Sequence, residues 1–252
     1  MPAPTTRHAP RPDHATDDGV ERILVVTAHP DDVDFGTAGS VATWVAAGMD
    51  VTYCIVTDGD AGGDDRSMPR KEMARIRREE QTAAAVVVGV TDIRWLGYPD
   101  GRVVADLGLR KDISRVIRRV RPQRVMAQSP DRLWSRIYAS HPDHLAAGEA
   151  TVSAVYPDAR NPFAHRELLD AEDLEPWTVP QLWLMARDDA DVYIDTTDTI
   201  DKKVAALRSH VSQMKDPEGV DAMMRGWGAM IAEQGGLAEG RLAEAFRAID
   251  TR

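Results

Sequence analysis

The chain has 252 residues, 43% of them hydrophobic and 29% charged, a composition that suits one large globular domain. Its 41 Asp and Glu against 31 Lys and Arg give a net charge of −10. An acidic surface of this kind repels polyanions. No run approaches the roughly 18 apolar residues of a membrane span, so neither nucleic acid nor membrane is an expected partner.

Residues 1–20 hold Pro, His, Arg and Asp without an apolar stretch. They read as a disordered leader, not a secretory signal, ahead of a single domain over 21–252. The one cysteine, Cys54, lies in the apolar run 51–56 and is expected to be buried and inert. A lone cysteine allows no intrachain disulfide, and the cytoplasm is the expected compartment. The Ala- and Arg-rich, Lys-poor usage fits a high-GC bacterial genome.

Residues 22–27 form a β-branched apolar run of the kind that fills a strand buried on both faces. A helix is expected over 37–47 with Gly48 as its stop, then a strand over 51–57 and a helix over 70–88 closed by Gly89. A strand over 92–96, a helix over 107–120 ending before Pro122, and a strand over 124–128 follow. This alternation predicts an α/β fold, a Rossmann-like mostly parallel sheet with helices on both faces. Ligands of such sheets bind beyond the carboxyl ends of the strands, where segments 28–36, 58–65, 97–101 and 129–144 fall. Beyond the 21–155 core, residues 156–252 read as a smaller, variable extension on the substrate side. It is expected to hold strands over 181–185 and 192–194, paired as a hairpin, and helices over 197–213, 220–234 and 238–249.

Those four loops carry nearly all the unusual chemistry. Ala28-His29-Pro30-Asp31-Asp32-Val33-Asp34 follows the first strand and His141-Pro142-Asp143-His144 the fourth. Either cluster alone reads as a surface turn whose Asp caps the next helix, Asp34 in one case and Asp143 in the other. Two of them at strand ends favour a metal, because imidazole and carboxylate together suit zinc. Two His and one carboxylate leave the open position that catalytic zinc needs.

With these motifs in hand, the chain resembles the PIG-L/LmbE-like deacetylases, which remove acetyl groups from N-acetylglucosamine-containing molecules. Thr57-Asp58-Gly59, Arg77-Arg78-Glu79-Glu80 and Leu96-Gly97-Tyr98-Pro99-Asp100-Gly101 complete the resemblance, which spans roughly residues 22–155. It implies one Zn2+ per chain, or another divalent metal, held by His29, Asp32 and His144. It implies Asp31 as general base, and His141 as oxyanion stabiliser with Asp143 as its orienting partner; the chemistry of amide hydrolysis favours a protonated His141, a charge that Asp143 would support. Arg77 and Asp100 are the implied substrate contacts, Asp100 to a sugar hydroxyl. The pattern departs from many relatives at Val33, where they have Glu. It departs from others at Ala139, where some have a tyrosine; here Tyr138 stands one residue earlier.

His8, His14, His165 and His210 are expected on the surface. Segment 58–65 lacks the Glu that closes an EF-hand loop and reads as a flexible pocket wall. Trp134 is as well suited to stacking on a sugar as to a structural role. No Gly-x-Gly-x-x-Gly follows the first strand, so no nucleotide cofactor is expected. The function implied is zinc-dependent N-deacetylation of a small amino-sugar substrate or its glycoside. The alternatives are an amidase for a thiol conjugate or other non-acetyl amide, and an inactive sugar-binding protein; a homo-oligomer is compatible with either.

Overall fold

The computed structural model describes residues 15–252. The expected leader, with His8 and His14, lies outside the described residues as far as position 14. Its last six residues pack onto the domain: Ala15 and Val20 are buried, and the Thr16 carbonyl accepts hydrogen bonds from Arg124 and Gln181.

The first half alternates as its hydrophobic pattern demands: β1 (Arg22–Thr27), α1 (Asp32–Ala46), β2 (Asp50–Thr57), α2 (Arg70–Val88), β3 (Asp92–Tyr98), α3 (Leu107–Val120) and β4 (Arg124–Ala127). Then come α4 (Pro142–Ser153), α5 (Arg166–Asp170), β5 (Gln181–Leu184), β6 (Val192–Asp195), α6 (Ile200–Arg208), α7 (Val220–Gln234) and β7 (Ala243–Asp250). Seven strands form one sheet in the order β3-β2-β1-β4-β5-β7-β6. The pairs among β1 to β5 are parallel, whereas β7 runs antiparallel to both β5 and β6.

Side chains on successive strand positions enter opposite layers, as the two-residue repeat of a strand requires. Ile23, Val25, Tyr53 and Ile55 join Trp44, Ala84 and Val88 on one face. Leu24, Val26, Cys54 and Val56 join Ile113, Ile117 and Ala150 on the other. Burial pushes the Cys54 thiol up to about 12, in keeping with an inert cysteine.

The C-terminal extension departs from expectation. Residues 243–250 form a strand instead of a helix, and β5 and β6 are separated by it instead of pairing as a hairpin. Ala, Glu and Arg favour helix locally, yet Glu244, Phe246 and Ala248 alternate into the interior. Burying that face against the sheet overrides the propensity.

One topological feature positions the site. After β1 the chain winds out through β2 to β3, then returns to place β4 on the other side of β1. The loops leaving β1 and β4 therefore diverge over a crevice at the carboxyl ends of adjacent strands. The Ala28 amide donates to the Gln128 side chain at 2.9 Å and ties those two loops together.

Candidate active site

The loop after β1 enters α1 through Asp31, whose φ of +84° is left-handed, an unfavourable region for a residue with a Cβ. That turn sets Asp32 in the first turn of α1 and folds its carboxylate back, where Oδ2 accepts from the His29 amide at 2.7 Å. From β4, a 3-10 segment (Trp134–Ser140) leads to His141, and Pro142 opens α4. A Cβ on Gly148 would collide with the backbone carbonyl of Gln128. Glycine there lets α4 lie close against the end of β4, which carries His144 into the crevice.

His29 Nδ1 lies 3.2 Å from His144 Nε2. The Asp32 carboxylate closes the triangle with its two oxygens, Oδ2 at 3.3 Å from His29 Nδ1 and Oδ1 at 3.0 Å from His144 Nε2. Donors bound tetrahedrally to zinc at about 2.0–2.2 Å stand roughly 3.3–3.6 Å apart, so this donor set fits one divalent ion with little movement. The far side of each ring supports the same fit. His29 Nε2 faces Asp100 at 3.0 Å and Asp143 at 3.3 Å, and His144 Nδ1 faces the Ala139 carbonyl at 3.3 Å. With a metal bound, such outer partners would fix the tautomer that turns the inner nitrogen to it.

The electrostatics reflect the crowding of acids and imidazoles. Burial works against charging His29, but hydrogen bonds to Asp100, Asp143 and Asp32 outweigh it and push the ring up to about 12. Burial likewise opposes ionisation of Asp32, yet His144 and His29 hold its carboxyl well below the usual range. Asp100 falls to about 2, its burial outweighed by His29. Asp31 moves the other way: burial first, then the charge of Asp32, raise it to about 6 against the pull of Arg77.

Three expected roles change with these contacts. Asp143 does not orient His141 through its carboxylate, which accepts from the Gly101 and Val103 amides and faces His29. The His141 ring is held instead by the Asp143 backbone N–H, which donates to Nδ1 at 3.2 Å. Burial and the nearby charges of His29 and His144 set the His141 ring below the ordinary histidine value, which works against the protonated form expected of it. Asp100, expected on a sugar hydroxyl, has one oxygen on His29 and the other on the Ala61 amide.

Arg77, expected to touch substrate, is buried. Its guanidinium donates to the Pro30 carbonyl at 2.6 Å, Asp31 Oδ2 at 3.0 Å and the Gly59 carbonyl at 3.2 Å. A Cβ on Gly59, itself at φ +65°, would run into that guanidinium. Arg77 thus holds the loop and the carboxylate of Asp31. In segment 58–65, Asp58 and Asp60 pair with Arg78 and Arg70.

The 3-10 segment beside the crevice presents Trp134 and Tyr138, 80% and 76% exposed. His165 pairs with Asp158. His210, expected on the surface, is fully buried against Asp34 at 2.8 Å. The only hint of that in the sequence was the density of acids in 31–34, too many to be buried without a cationic or donor partner.

Residues 24–155, the half of the chain that builds this crevice, match the PIG-L family, described as GlcNAc-PI de-N-acetylase. The diacetylchitobiose deacetylase of Thermococcus kodakarensis is 31% identical over 229 residues, 90% of this chain and 83% of that one. A probable N-acetyl-alpha-D-glucosaminyl L-malate deacetylase 2 of Bacillus subtilis is 29% identical, over 77% of this chain and 83% of its own length. Among solved structures, the N,N'-diacetylchitobiose deacetylase from Pyrococcus horikoshii superposes with a TM-score of 0.85 at 29% identity, covering 93% of this chain and 86% of that one. The chain belongs to the PIG-L family, and these relatives are deacetylases, enzymes that hydrolyse amides.

Proposed function

We propose that the protein is a zinc-dependent N-deacetylase that hydrolyses the acetamide of an N-acetylglucosamine-type sugar or its glycoside. The observation that carries this reading is the triangle of His29 Nδ1, Asp32 and His144 Nε2, with edges of 3.0–3.3 Å, beside a second carboxylate, Asp31, that Arg77 aims. Two imidazoles and a carboxylate with an open side are the donor set of a hydrolytic zinc site. Zinc bound there supplies the positive charge that polarises an acetyl carbonyl and makes water acidic enough to attack it near neutral pH.

The chain's own residues then do the proton work. Asp31, raised to about 6, is ionised at neutral pH and close enough to that range to act as an efficient base. It takes a proton from the attacking water as the C–O bond forms. His141, with Nδ1 occupied by the Asp143 amide, carries its proton on Nε2 and donates it as a hydrogen bond to the developing oxyanion. Asp31 passes its proton to the amine nitrogen, the C–N bond breaks, and acetate and a free amino sugar leave. Arg77 is a positioning residue in this scheme, while Asp100 and Asp143 back His29. The lone buried Cys54 supports a reducing, cytoplasmic setting.

The test is amine release by the zinc-loaded protein from N-acetylglucosamine, N,N'-diacetylchitobiose and N-acetylglucosaminyl glycosides, alongside a thiol-conjugate amide. Release from one or more of the acetylated sugars is expected. Turnover of the conjugate alone would make the enzyme an amidase of another class, and no turnover with full metal binding would make it a sugar-binding protein.

A further inference from the structure

Outside the residue set just described, one buried polar chain reaches the site from the far end of the sequence. His210 follows α6 and lies beyond the residues that match the family. Its Nε2 stands 2.8 Å from Asp34 Oδ2, and neither side chain has measurable exposure. The same oxygen accepts from the Gln81 amide nitrogen at 2.8 Å. The Gln81 carbonyl in turn accepts from the Asp31 backbone N–H at 2.8 Å.

Gln81 is therefore oriented by chemistry. Its NH2 must face the carboxylate and its oxygen the amide, because Asp34 can only accept and the Asp31 N–H can only donate. Arg77 lies one helical turn earlier on α2 and grips the Pro30 carbonyl and the Asp31 carboxylate. Together the two side chains hold Asp31 in its left-handed conformation, which persists only where its surroundings over-determine it. The neighbouring Ser212 fixes the same stretch of α2, its amide and hydroxyl donating to Glu80 at 2.6 and 2.7 Å.

We infer that His210 is a positioning residue for Asp31, acting through Asp34 and Gln81, so that the C-terminal extension completes the proton-transferring side of the site. A buried carboxylate keeps one geometry only while its donors are in place. Without His210, Asp34 reorients, Gln81 loses its fixed sense, and Asp31 is released toward ordinary backbone angles. A displacement of about 1 Å at a reacting group can cost on the order of 100-fold in rate. The inference rests on Asp31 being the general base.

The experiment is a cycle of His210→Ala and Asp31→Asn in the full-length zinc enzyme, with kcat, KM and bound zinc measured for each variant under single-turnover conditions where needed. His210→Ala is expected to lower kcat about 10- to 100-fold, with KM and zinc content unchanged. His210→Gln, which keeps an N–H donor toward Asp34, is expected to restore most of it. In the Asp31→Asn background His210→Ala should cost nothing further, because the group it positions is already disabled.

Gln81→Met breaks the link with His210 and Asp34 left in place, and is expected to reproduce the loss even where His210→Ala fails to fold. Losses that multiply in the double variant, a fall in zinc content, or full kcat in Gln81→Met would each overturn the inference. Full activity in Asp31→Asn alone would instead remove the general-base reading on which it stands.

Discussion

Asp100 and His29 form a carboxylate–imidazole pair at 3.0 Å, on the side of the ring opposite the nitrogen that faces Asp32 and His144. In the proposed site the pairing makes Asp100 a support for the ligand His29, and its second oxygen, bound by the Ala61 amide, keeps it there. Removing such a support costs about 10- to 100-fold in metal affinity. Asp143 also faces His29 Nε2, so Asp100→Ala should fall at the lower end of that range. Competition titration with a chelating dye measures it. Unchanged affinity with a raised KM would return Asp100 to the sugar-contact role that its place in the motif implied.

Arg77 separates two accounts of one residue by kinetics. Its donors go to Pro30, Gly59 and Asp31, so its loss should disturb the base before it disturbs substrate binding. Arg77→Lys keeps the charge but lacks the fork that spans three acceptors. We expect kcat to drop about 10- to 100-fold through misplacement of Asp31, with KM within about threefold. A large rise in KM at constant kcat would make Arg77 a substrate contact.

The pH dependence of metal binding has a definite sign. In the metal-free protein His29 is raised to about 12, so at neutral pH the ring holds a proton that a metal bound in the proposed site would displace. A raised pKa means the proton is bound throughout the neutral range and lost only well above it. Zinc affinity should therefore climb with pH, by about tenfold per unit for each proton released. Calorimetry in buffers of different ionisation enthalpy should show at least one proton released per zinc at pH 7. Affinity independent of pH between 6 and 8 would mean that His29 holds no such proton in the metal-free protein.

The parts of this arrangement that were legible in the sequence are those encoded by neighbours. The β-branched runs of β1 and β2 marked strands buried on both faces, and the two His-Pro-Asp motifs lay in the segments after the first and fourth of the strands that alternate with helices. Asp32 and His29 are three residues apart, so one turn suffices to bring them together. The partners that reverse a role come from farther away: Asp143 supports His29 from 114 residues on, and His210 reaches Asp34 across 176. Local pattern holds no record of such pairs, nor of a burial that turns Arg77 inward. Strand β7 was hidden for a related reason, since its Ala, Glu and Arg favour helix until the sheet edge supplies a face to bury.

The most direct test is a zinc titration of the metal-free protein, following amine release from N,N'-diacetylchitobiose and N-acetylglucosamine together with bound metal. Activity should rise linearly and level off at one equivalent. His144→Ala should bind zinc far more weakly and release no amine, whereas Asp31→Asn should bind one equivalent and be nearly inactive. Amine release by the metal-free protein at the full rate, or full activity in Asp31→Asn with zinc bound, would contradict the account.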